Sequence, residues 1–136
     1  FINEMIKKFK KDNTKSRILL GDFNIAPLEN DVWSHKQLIN VVSHTKIEVD
    51  YFNMLIDSGP FIDIIREFYK PQEKVFTWWS YRSKDWSKSN KGRRLDHVLV
   101  CKKLKGLTKE AKIYKNIRDV NNPSDHVPIS ITLNVK

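Results

Sequence analysis

The chain has a single cysteine, Cys101, which excludes an intrachain disulfide and points to a reducing, cytoplasmic setting. No stretch approaches the roughly 18 apolar residues of a transmembrane helix, and none combines the charged, apolar and small-residue parts of a signal peptide. No membrane partner is expected. Nor is there an internal repeat, a low-complexity tract or a linker to divide the 136 residues, which read as one domain or a large part of one. The chain opens on Phe1 rather than Met, inside an apolar pattern, so it is expected to be a portion of a longer protein. Acid is also scarce: 16 Asp and Glu stand against 25 Lys and Arg, a net charge of +9 at pH 7.

That excess suits a polyanionic partner, although solubility alone also favours charge. Its placement says more. Between Tyr81 and Arg94 lie six basic residues, Arg82, Lys84, Lys88, Lys91, Arg93 and Arg94, against one acid, Asp85. Trp78, Trp79, Tyr81 and Trp86 are threaded through or beside them. Cations meet phosphates and aromatic faces meet bases or sugars, so this mixture fits a nucleic-acid contact loop.

Helix and strand patterns alternate along the chain. Phe1, Ile2, Met5, Ile6 and Phe9 recur at helical spacing, predicting an amphipathic helix over Phe1 to Lys11, followed by a loop from Asp12 to Ser16. Ile18, Leu19 and Leu20 predict a buried strand. Trp33, Leu38 and Ile39 are expected to pack inward. Thr45 and Glu48 have capping-box spacing ahead of a helix that buries Tyr51, Phe52, Leu55 and Ile56 and stops at Gly59-Pro60. A short helix is predicted over Phe61 to Phe68. Strands then follow over Val75 to Tyr81, Leu95 to Cys101, Ala111 to Tyr114 and Val127 to Val135, with Cys101 in the core at a strand end and at least one of Trp78 and Trp79 buried.

Polar groups collect where strands meet loops. In Arg17 to Pro27 (RILLGDFNIAP), Asp22 and Asn24 are two residues apart. If the strand runs through them they share a face, a carboxylate beside an amide, a pair suited to a phosphate and a divalent cation. An ordinary Asx turn fits the same residues. Asp96 opens a strand after Gly92-Arg93-Arg94-Leu95, and Asp125-His126 lead into the last one. His35 and His44 have no such setting and read as surface or internally satisfied histidines.

Four blocks, GDFNIAP, FTWWSYR (76–82), GRRLDH (92–97) and PSDHVPI (123–129), resemble those of the exonuclease III family of abasic-site DNA endonucleases, within the endonuclease/exonuclease/phosphatase superfamily. The resemblance spans essentially the whole chain but only the C-terminal half of the family domain. It implies an α+β fold, the second half of a four-layer DNase I-like sandwich of two packed β-sheets flanked by helices. It further implies Mg²⁺-dependent, or Mn²⁺-dependent, hydrolysis of double-stranded DNA at abasic sites or 3′ ends, with 3′ to 5′ exonuclease and 3′ phosphatase activity.

By motif, Asp22 resembles the acid that handles a proton of water or leaving group, and Asn24 the donor to phosphoryl oxygens. His126 resembles the group that binds or deprotonates at the scissile phosphate, Asp96 the carboxylate that orients it, and Asp125 a metal ligand. Asp22, Asn24 and His126 also fall where metal binds, and the identity of the base stays open between them. Trp78 and Leu95 match positions lining the pocket for the extrahelical sugar, and Arg93 stands where relatives often place an aromatic. Arg82, Lys91 and Arg94 complete the expected DNA contacts. The family's N-terminal half supplies an Asn, a metal-binding Glu and a Tyr that no residue here matches, so the chain alone is expected to be inactive and to expose an apolar patch and unpaired strand edges. The alternatives are a catalytically silent nucleic-acid-binding remnant or, less favoured by the basic aromatic loop, a lipid-directed relative.

Overall fold

A computed structural model describes residues 1–10 and 15–135. In chain order the elements are α1 (Ile2–Phe9), β1 (Ile18–Asp22), α2 (His35–Leu38), α3 (Lys46–Ser58), β2 (Phe61–Asp63), α4 (Ile64–Glu67), β3 (Trp78–Trp79), α5 (Trp86–Ser89), β4 (Gly92–Arg93), β5 (Asp96–Cys101), α6 (Lys102–Lys105), β6 (Thr108–Ile113) and β7 (Ile129–Leu133). The end of the predicted first helix at Lys11 and most of the loop after it lie outside the described residues.

β5 is the centre. It runs antiparallel to β1 on one side and β2 on the other, and five of its six residues are buried. A central strand covered on both faces needs apolar residues on both, and its alternate side chains go to two separate cores. Leu99 joins Phe9, Phe52, Leu55 and Phe61 under α1 and α3, while Val98 and Val100 pack with Ile64, Ile65 and Val75 toward Ile113, Ile129 and Ile131 of the antiparallel β6-β7 sheet. Packed antiparallel sheets with helices against them are the α+β arrangement expected.

α3 starts where its sequence says. The Thr45 hydroxyl accepts from the Glu48 N–H at 3.4 Å, and the Glu48 carboxylate accepts from the N–H groups of Thr45 and Ser43, both at 3.0 Å. Thr45→Ala should lower stability by about 1 kcal/mol, read as a shift in the urea midpoint. An unchanged midpoint would mean that packing alone sets this helix start.

Four expectations need correction. Ile39, expected to pack inward, is 44% exposed, because it caps the end of the one-turn helix α2 rather than sharing the buried face of Leu38. Phe61 to Asp63 is a strand rather than the first turn of a helix, because it pairs with Cys101, Val100 and Leu99 along the open edge of β5. Leu20 is 71% exposed, not buried. It lies on edge strand β1, on the same face as Ile18, and no core group covers it. Of the strand predicted over Val75 to Tyr81, only Trp78 and Trp79 pair as β3. Trp79 is buried and Trp78 half-buried, as alternation requires, and Cys101 is a buried strand end.

Candidate active site

The β1-β5 ladder ends on the register pair Asp22 and Asp96, which brings two carboxylates together at the rim of the sheet. The strand does not run on to Asn24. Phe23 makes one more ladder bond, to the Leu95 carbonyl at 3.0 Å, and packs edge-on against Phe52 and His97. Asn24 then turns into the left-handed region at φ 54°, a conformation that Asn tolerates better than most residues. Its backbone N–H and its Nδ2 donate to the two Asp22 carboxylate oxygens at 2.7 and 3.1 Å. The two residues are therefore neighbours through an Asx turn, not through strand alternation.

His126 completes the group. Its Nδ1 lies 2.8 Å from Asp96 Oδ2 and its Nε2 lies 3.8 Å from Asp22 Oδ2. An ionised carboxylate can only accept, so Nδ1 carries a hydrogen, and in the neutral imidazole the lone pair is the one on Nε2, facing Asp22. Asp96 is itself held: its N–H and that of Leu95 both donate to the buried Thr77 hydroxyl, at 3.1 and 3.0 Å.

Ligand atoms of Asp22, Asp96 and His126 fall within 4.8 Å of one another. The carboxylate pair fits a hard divalent cation. Asp125, expected as a ligand, accepts from the Trp78 indole N–H at 2.9 Å through Oδ2 and lies outside that cluster, whereas Asp96, expected only to orient the imidazole, falls within it.

The aromatic wall is next to this group. Trp78 forms a backbone bridge with His126 and pairs with Arg93 across β3-β4. The Arg93 guanidinium lies 5.6 Å from the Trp78 ring centre. Leu95, expected to line the sugar pocket, is instead a core residue at 4% exposure, with Trp78 packed against its cluster, so it backs the ring and offers DNA almost no surface of its own. Arg82 and Lys91 are exposed, as a DNA contact requires.

Arg94 is different. Its side chain is fully buried and forks onto Asp31 at 2.7 and 2.8 Å, with Asp63 at 2.7 Å and His97 Nδ1 at 2.9 Å. It has no surface to offer DNA and is a core ion pair. Burial alone would lower the Arg94 guanidinium, but Asp63 and Asp31 hold it above its ordinary value. Burial would raise the Asp63 carboxyl, and the Arg94 charge with the His97 contact brings it well below the usual carboxylate range instead. Arg66 also bonds Asp31.

Two histidines hold the site loop. With Arg94 donating to its Nδ1, His97 donates from Nε2 to the Ile25 carbonyl at 2.7 Å. His44 donates from Nδ1 to the Ala26 carbonyl at 2.6 Å, and His35 bonds its Nε2 at 2.8 Å. His35 and His44 are thus satisfied internally, as expected. Their support of the loop, like that of Thr77 and His97, had no signal in the sequence.

A carboxylate, an amide and a carboxylate-backed imidazole gathered at strand ends can hold a cation and move a proton at a bound ligand. The chain belongs to the endonuclease/exonuclease/phosphatase family, whose pattern it matches over residues 4–126. It is 32% identical over 124 residues to the exodeoxyribonuclease of Bacillus subtilis, and 36% identical over 125 residues to the DNA repair nuclease APEX1 of Danio rerio. Each match covers 91% of this chain but only 47% and 38% of the relative, so the chain spans about half of its curated relatives or less.

Among solved structures, an AP endonuclease from Archaeoglobus fulgidus superposes with a TM-score of 0.92 at 26% identity, covering 98% of this chain and 52% of that one. The 3′ phosphatase NExo from Neisseria, bound to a product DNA hairpin, gives 0.85 at 25% identity, covering 98% and 50%. The fold is thus that of the AP endonucleases.

Proposed function

We propose that this chain forms the C-terminal part of a DNA repair nuclease that hydrolyses phosphodiesters at abasic sites in duplex DNA with Mg²⁺. The observation that carries this reading is the His126 imidazole, bonded through Nδ1 to Asp96 and presenting Nε2 toward Asp22. The coverage of about half of each relative supports placing the remaining part of the site outside residues 1–136.

Each side chain has a task. His126 Nε2 accepts the proton of the attacking water, and Asp96 fixes the tautomer and stabilises the imidazolium that results. Water oxygen bonds to phosphorus, the bond from phosphorus to the 3′ oxygen breaks, and that oxygen leaves as an alcohol with a proton returned from the imidazolium. Asn24 Nδ2 has one hydrogen on Asp22, which leaves the second for a phosphoryl oxygen. When bound, a Mg²⁺ ion would be held by Asp22 and Asp96 and would offset phosphoryl charge. Asp125 stays on Trp78 and steadies the pocket wall.

The test is an end-labelled duplex with one abasic site, incubated with Mg²⁺ or with EDTA. Metal-dependent incision 5′ to the site, abolished in Asp22→Asn, is expected of the complete enzyme. Duplex that is bound by the complete enzyme but never cut would favour a nucleic-acid-binding protein without chemistry, for which the exposed Arg82 and the exposed Lys91 over the Trp33 ring speak.

A further inference from the structure

The surface beside His126 contains a cation with donors to spare. Arg93, Trp78 and His126 sit on three adjacent, antiparallel-paired segments. Arg93 spends only Nη1 on the protein, donating to the Val42 carbonyl and the Ser43 hydroxyl, both at 2.7 Å. Its Nε and Nη2 have no hydrogen-bond partner among the described residues, and neither is a buried unsatisfied atom. Two donors of one rigid fork therefore face solvent over the Trp78 ring. Glu48 is the nearby acid, but its oxygens hold the N–H groups of Ser43 and Thr45, and no ion pair with Arg93 forms.

The ligand classes ask for different walls. A sugar that has lost its base is uncharged and gains most from a bare aromatic face. A phosphate monoester at a 3′ end has an extra negative charge and free oxygens, and a guanidinium fork matches both. Here the ring already carries the guanidinium.

We propose that Arg93 is a specificity-determining residue that makes this surface bind DNA 3′ ends bearing a terminal phosphate more tightly than it binds abasic sugars, the same site acting on both. The inference rests on the nuclease reading above for the position of the DNA. On such an end the same hydrolysis consumes one water, breaks the bond from phosphorus to the 3′ oxygen, and yields a 3′ hydroxyl and inorganic phosphate.

Binding in EDTA separates this preference from catalysis. The full chain is titrated by fluorescence anisotropy with three duplexes: a recessed 3′-phosphate, the same end with a 3′-hydroxyl, and an internal tetrahydrofuran abasic analogue. Wild type should prefer the 3′-phosphate over the hydroxyl by about tenfold or more, the usual scale of a hydrogen bond to a charged group. Arg93→Gln should abolish that ratio, Arg93→Lys should keep part of it, and Arg93→Trp should shift preference to the abasic duplex.

Ratios taken within one preparation cancel any loss of folded protein caused by freeing Val42 and Ser43. An equal fall on all three duplexes would mean that Arg93 holds an ordinary backbone phosphate, and would overturn the proposal. So would a ratio unchanged within twofold in Arg93→Gln. Binding with the expected preference but no incision in the Mg²⁺ assay would defeat the nuclease reading alone, whereas no binding of any duplex would defeat both.

Discussion

Arg94→Gln should destabilise the domain by about 3–5 kcal/mol, because removing one member of a buried ion network leaves its partners charged and uncompensated. That is a large share of the stability of most domains. Asp31 keeps Arg66, but Asp63 loses its guanidinium contact, and its Oδ1 has no partner even now. Arg94→Lys should recover only part of the loss, since an ammonium cannot fork onto Asp31. Urea unfolding of the three proteins decides it. A wild-type midpoint in Arg94→Gln, with weakened DNA binding, would return Arg94 to the DNA surface.

The same network sets a pH dependence. The folded-state Asp63 carboxyl titrates below its ordinary range, with Arg94 outweighing burial. A depressed value means that its stabilisation is complete above the unfolded carboxylate range near ~4 and is lost as pH falls below it. Melts at pH 7 and pH 3 should therefore show a smaller acid-induced drop in Asp63→Asn than in wild type, although the variant starts from a lower Tm.

Asp96→Asn should cut turnover of the complete enzyme by about 10²–10⁴-fold, the range of general acid–base effects, with little change in Tm because the side chain lies at the sheet rim. An amide that donates to Nδ1 would force the hydrogen onto His126 Nε2 and remove the lone pair from the substrate side. His126→Ala should match or exceed that loss. The double variant should be no slower than His126→Ala, because residues that act as a unit are not additive. Single-turnover incision measures all three, and near-normal cleavage by any of them would sink the assignment.

What the sequence made legible was local. The Thr45 and Glu48 cap is a pair of residues three apart, and the motifs before β5 and β7 already place acid and imidazole at strand ends. Arg94 was not legible because it sits in a basic run, and its partner Asp31 lies 63 residues away. Thr77 and His97 are hidden for the same reason: their hydrogen-bond partners meet them only after the sheets have paired. Phe61 to Asp63 has a helix-compatible pattern that the empty edge of β5 overrides. The pairing of Asp22 with Asn24 was anticipated but its geometry was not, since a continuing strand and an Asx turn fit the same residues equally well.

The bridge between Trp78 and His126 has a consequence for fidelity. The Thr77 carbonyl accepts from the Val127 N–H at 2.8 Å and the Asp125 carbonyl accepts from the Trp79 N–H at 2.9 Å, so the segments that carry the Trp78 ring and the His126 imidazole are joined by one ladder of backbone hydrogen bonds. In the proposed mechanism, a badly seated ligand that tilts Trp78 would also carry Nε2 off its line of approach. Discrimination of this kind would show in kcat more than in KM: a poor substrate would be admitted but would wait.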